Sequence, residues 1–238
     1  MTLWYLSRQA VAALLGLAVT LAFLIACSPT QPDFQTAARA PAAAPAADET
    51  QALREATLTL LPARCQGVVV EDPQSALTAA HCVGEEERSL QVQLSDGRVV
   101  EAEVARVDRP HDVAFLRLEA PAGVAPLRVA SALPFPGAPL RFISSRHHAG
   151  ELQQVSLVRL GRCPSLPEVP AALFTSLRGA PGDSGAPVVD AALQVVGLVH
   201  GGARCAIAAP TAGLAPAIAS LAGPPPARQL ARRGPPGR

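Results

Sequence analysis

Three short stretches of this chain carry residue types that could do chemistry. "LTAAHCV", residues 77–83, ends an apolar run on His81. "HDVAFLRL", residues 111–118, opens an apolar strand with Asp112. "PGDSGAPVV", residues 181–189, holds Ser184 in a glycine-flanked turn that leads into another apolar run. Together they offer a proton carrier, a carboxylate and a hydroxyl nucleophile. Taken alone, a histidine at a strand end is more often structural than catalytic. A carboxylate at the head of an apolar strand is costly unless it receives donors, and an imidazole N–H is one. The serine turn is not the GxSxG elbow of the α/β-hydrolases. Ala186 stands at the fifth position, and "PVVD" follows where that elbow has a helix.

The elements that must position these residues read as short strands. "ATLTLL", "GVVVE", "SLQVQLS", "VVEAEVARV" and "VAFLRL" alternate or are β-branched, and turn residues separate them. Asp96-Gly97 within "LSDGRVV" marks a hairpin. A proline-rich crossing, residues 121–139, is followed by a second set: "LRFISS", "LQQVSLVRL", "APVVD" and "LQVVGLVHG". Many short strands in two sets point to an all-β protein of two similar halves. Only "TAGLAPAIASLA", with Pro216 in its first turn, reads as helix.

The three motifs in this order resemble the trypsin-like, chymotrypsin-fold serine proteases, over roughly residues 53–222. The resemblance implies two antiparallel six-stranded β-barrels, about 53–128 and about 129–222, with a short C-terminal helix and the active site in the cleft between them. It implies a serine endopeptidase in which His81 is the general base, Asp112 orients it and Ser184 is the nucleophile. The N–H groups of Gly182 and Ser184 would form the oxyanion hole. A non-catalytic binding homologue and a quality-control protease of the HtrA type are the alternatives. The complete set of four residues argues against the first. The lack of a PDZ-sized segment after Ala222, together with the expected disulfides, argues against the second.

The cysteines are Cys27, Cys65, Cys82, Cys163 and Cys205. The resemblance implies a Cys65–Cys82 bridge beside the histidine, closing a loop whose constraint contributes about 3 kcal/mol. Cys163 and Cys205 are then expected to pair, with two free buried thiols as the alternative. Ala180 stands where the family commonly has a cysteine, four residues before the serine. Many members carry a free N-terminus that pairs with the Asp before the serine. No such start is visible here, so either Asp183 has another cation as partner or hydrogen bonds alone hold the turn; Arg141 is the candidate cation, a solvated surface arginine being the alternative.

The family's substrate pocket places Arg178, six before Ser184, at its floor, with His200 and Gly202 on the wall strand "GLVHGG". A basic floor would favour acidic side chains, and an arginine reaching out to water would leave a small apolar pocket. His200 either lines that pocket or turns to Asp112. His111, His147 and His148 read as surface residues.

At the start, Arg8 precedes an apolar run, Ala10–Ala26, short of the about 20 residues a membrane span needs. The run ends in "LIAC", which resembles the lipobox of bacterial lipoproteins. Residues 1–26 are therefore expected to be a signal peptide and Cys27 a lipidated residue. A plain signal peptide or an uncleaved anchor is the alternative. Ser28 after the cysteine implies the outer membrane where a cell has one. Residues 27–52 read as an Ala/Pro-rich linker and residues 223–238 as a disordered tail.

The net charge of +1, with all 20 basic residues arginine, implies no nucleic-acid partner. No CxxC and no Cys/His spacing of a zinc site occur, so neither metal nor cofactor is expected. The expected partners are peptide substrates and, through the lipid, a membrane.

Overall fold

The computed structural model describes residues 47–144, 152–201 and 206–221. The six strands of the first half are β1 (Thr57–Leu61), β2 (Gln66–Val69), β3 (Ser75–Thr78), β4 (Ser89–Gln93), β5 (Val99–Asp108) and β6 (Val113–Leu118). They close into an antiparallel barrel in the order β1-β2-β3-β6-β5-β4. The second half supplies β7 (Pro139–Ile143), β8 (Leu152–Gly161), β9 (Ala172–Thr175), β10 (Pro187–Val189), β11 (Val195–Val199) and β12 (Ile207–Pro210). These close in the order β10-β11-β12-β9-β8-β7. This is a chymotrypsin-like pair of six-stranded barrels. Helices α1 (Ala47–Ala56) and α2 (Ala215–Leu221) flank them.

Strand burial follows from the two-barrel arrangement. β4 alternates strictly, with Leu90 and Val92 inward and Ser89, Gln91 and Gln93 in water. β2, β3, β10 and β11 are buried on both faces. One face fills its own barrel and the other packs against the opposite barrel. Val68, Leu77, Val113 and Phe115 from the first half share one apolar cluster with Val189, Val195 and Leu198 from the second. The crossing chain runs along this seam. The Leu127 N–H donates to the Val69 carbonyl, and the Val195 N–H to the Arg128 carbonyl. Between them, the Val129 N–H donates to the Glu71 carboxylate at 2.7 Å.

Two expectations need correction. Residues 47–52 do not act as spacer: they form most of α1, whose Leu53 and Ala56 are fully buried in the interbarrel cluster. Ala/Pro richness ends at residue 46, and "ADETQALREA" has acidic residues in its first turn and an arginine in its last, which suits the helix dipole. The second concerns Arg141. It does not pair with Asp183. Its guanidinium donates to Glu49 of α1 at 2.8 Å and to the carbonyls of Asp190 and Ala191 at 3.2 and 3.0 Å. A carboxylate from an unforeseen helix, together with two carbonyls, provides the planar acceptor set an arginine fork prefers. Cys27, Gly202, Cys205, His147 and His148 lie outside the described residues, as do residues 1–26, expected as a signal peptide, and residues 223–238, expected as a tail. Among the described residues no helix is long and apolar enough to cross a membrane.

Candidate active site

His81 lies on a single 3-10 turn, Ala80–Cys82, directly after β3. The Cys65–Cys82 disulfide ties this turn to the chain entering β2, with Cα atoms 6.1 Å apart. Arg109 holds it from the other side, donating to the carbonyls of Ala80 and Val83 at 3.1 Å each. Sequence reasoning did not single out Arg109. Its only signal was its place three residues before Asp112, where its carbonyl accepts the Asp112 N–H. The histidine turn and the aspartate turn are thus one stapled unit.

Asp112 is buried and holds a left-handed backbone angle, φ 53°, at the head of β6. That conformation costs a non-glycine residue about 1–2 kcal/mol, and it aims the carboxylate inward. The His81 N–H donates to Oδ1 at 2.9 Å, and His81 Nδ1 lies 3.0 Å from both carboxylate oxygens. His200 Nδ1 lies 2.5 Å from Oδ2. Burial works to raise the Asp112 pKa, but hydrogen bonds from His200 and His81 outweigh it and hold the carboxyl at about 2. The group is therefore an anion at neutral pH, and both imidazoles must present an Nδ1 proton to it.

The three ligating atoms of His81, Asp112 and His200 lie within 4.8 Å of one another, a span that could hold a cation. Here the two Nδ1 protons already bridge that space.

Ser184 sits in a turn built from two left-handed glycines, Gly182 at φ 102° and Gly185 at φ 81°. A Cβ on Gly185 would stand 2.1 Å from the Gln66 carbonyl oxygen and 2.6 Å from Thr78 Oγ1. Only glycine lets the serine turn press onto the end of β3, three residues before His81. Gln66 clamps that contact: its N–H donates to the Ser184 carbonyl at 2.7 Å. The side chain of Asp183, fully buried, accepts the Ser144 hydroxyl at 2.9 and 3.1 Å and the Ala180 N–H at 2.8 Å. Ser144, at the end of β7, is a second residue that sequence reasoning missed. It supplies a hydroxyl donor, in line with the alternative that hydrogen bonds hold this turn.

The N–H groups of Asp183, Gly185 and Ala186 are all spent on backbone carbonyls. Those of Gly182 and Ser184 have no protein acceptor among the described residues. Two unspent donors, one on each side of Asp183 and one of them the serine's own, can receive an oxyanion. The Ser184 hydroxyl itself is not hydrogen-bonded to His81, a contact that commonly tightens only when substrate binds.

The pocket residues fare differently. Arg178 is exposed while its neighbour Leu177 is buried, so the guanidinium reaches water and does not form a buried basic floor. His200 is turned to Asp112. His111 lies at the surface, paired with Asp108 at 2.8 Å. Cys163 is disulfide-bonded.

A protein-family model described as a trypsin-like peptidase domain matches residues 65–198, which include the three motifs and the turns just described. No curated protein matches the chain.

Proposed function

This chain belongs to the trypsin-like peptidases, and from that premise we propose that it is an active serine endopeptidase. His81 Nε2 takes the proton from Ser184 Oγ as the oxygen attacks the scissile carbonyl carbon. The carbonyl oxygen becomes an oxyanion and accepts the N–H groups of Gly182 and Ser184. Each such donor contributes about 2.7–4 kcal/mol to the transition state. His81 then passes its proton to the departing amine, leaving an acyl group on Ser184. Water, deprotonated by the same nitrogen, releases the acid and restores the serine. Asp112 keeps Nδ1 protonated, so that Nε2 is the lone-pair side, and offsets the positive charge that His81 gains.

The observation that carries this reading is the pairing of a buried, ionised Asp112 with His81 beside a serine turn that holds two unspent N–H groups. A binding homologue has no use for that combination. Labelling by a fluorophosphonate tests it directly, since only an activated serine reacts. Ser184→Ala should lose both labelling and peptide hydrolysis while its melting temperature stays that of the wild type, because the hydroxyl is a small group at the cleft. Hydrolysis that persists in Ser184→Ala would rule the mechanism out.

The reading extends to location. The "LIAC" run ending at Cys27 supports a peptidase delivered to the cell envelope and held there by lipid on that cysteine.

A further inference from the structure

The peptidase mechanism assigns Asp112 one imidazole, yet two imidazoles hold it. His200 follows β11, at the end of a strand that is part of the serine's own scaffold. Val199 receives the Gly185 N–H at 2.8 Å and donates to the Ala186 carbonyl at 2.9 Å. The His200 N–H is spent on Ile207 of β12 at 3.1 Å. With its backbone fixed from both sides, the His200 side chain crosses from the second barrel to a carboxylate of the first. Its ring is 13% exposed and meets the His81 ring edge to face, centroids 5.4 Å apart and planes at 87°.

The Asp112 carboxylate needs that second contact. The His81 Nδ1 atom, with one proton to give, lies 3.0 Å from both Oδ1 and Oδ2, so the shared bond does not favour either oxygen. The His81 N–H fixes Oδ1. Among the described residues, only His200 gives Oδ2 a donor of its own. We propose that His200 is a positioning residue: its Nδ1–H bond to Asp112 sets the His81–Asp112 pair of one barrel in register with the serine turn of the other. His200 is then committed to Asp112 and takes no part in recognising the substrate side chain. This inference rests on the serine-peptidase reading.

Three variants of His200 separate positioning from mere filling of space. His200→Leu fills the volume but leaves Oδ2 of a buried anion without its own donor. Such a loss should lower kcat about 10- to 100-fold while KM stays within about twofold. In His200→Asn, Nδ2 is the same number of bonds from the backbone as the imidazole Nδ1 and can donate to Oδ2. It should recover kcat to within about threefold of the wild type. His200→Gln reaches one bond further and should not. Proton NMR of the wild type should show two low-field imidazole N–H resonances, one lost in His200→Leu and the other in His81→Ala. Melting temperatures establish that each variant is folded, and the Asn-against-Gln comparison stands if the Leu variant is not.

Wild-type kcat in folded His200→Leu would overturn the inference while leaving the peptidase reading intact, and so would Asn performing no better than Gln. If the wild type hydrolyses nothing, the peptidase reading fails. The NMR spectrum then decides His200 alone: two low-field resonances support its bond to Asp112, and one overturns it.

Discussion

Gly185→Ala is the most demanding test of how the serine turn is seated. The added Cβ would lie 2.1 Å from the Gln66 carbonyl oxygen, 1.3 Å short of the 3.4 Å at which ordinary contact begins. That oxygen cannot easily yield, because it accepts the Thr78 hydroxyl at 2.6 Å and lies on β2, fixed between β1 and β3. The serine turn has to lift instead. The cost has two parts: about 1–2 kcal/mol for an alanine at φ 81° and about 1–3 kcal/mol for overpacking. A sum of about 2–5 kcal/mol is a large share of the about 5–15 kcal/mol by which a domain is folded. Lifting the turn by an ångström also displaces Ser184 from His81 and costs about 100-fold in rate. Gly97→Ala is the control. Gly97 has φ 87°, but a Cβ added there would meet nothing within 4 Å, so it bears only the backbone part. Thermal melts with fluorophosphonate labelling should show Gly185→Ala strongly destabilised and labelled about 100-fold more slowly, and Gly97→Ala mildly destabilised and labelled normally. Equal labelling rates in the two variants would refute the seating of the serine turn on Gln66 and Thr78.

Two further outcomes follow from the site and from the N-terminal sequence. With Arg178 in water and His200 on Asp112, a peptide-library digest should show cleavage after small apolar residues, unchanged by Arg178→Ala; dominant cleavage after Glu, lost in that variant, would return Arg178 to the pocket. Cys27→Ser should move the protein from the detergent phase to the aqueous phase, or leave it unprocessed, and unchanged partitioning would remove the lipid anchor.

The order of the three motifs and the strand alternation determined the fold class, because both are local: a period of two and a turn glycine are written in consecutive residues. β4, β5 and β6 were legible as "SLQVQLS", "VVEAEVARV" and "VAFLRL" for that reason. β9 and β12 were not: "ALFT" and "IAAP" are too short for a period of two to show, and they pair with each other across more than thirty residues of chain. Helix α1 was hidden by the Ala/Pro-rich stretch before it. The residues fit to act as base, carboxylate and nucleophile were also readable, since their types and neighbours are a property of the chain. What surrounds them was not. Asp183 needs a donor, and the sequence left open whether that is a cation such as Arg141 or hydrogen bonds alone; the tertiary fold brings the Ser144 hydroxyl from just after β7 and gives Arg141 to Glu49. His200 could line a pocket or face Asp112, and its sequence neighbours are the same either way. The closing of two barrels on one seam decides it, because only there does a strand end of the second barrel come within one hydrogen bond of a carboxylate of the first.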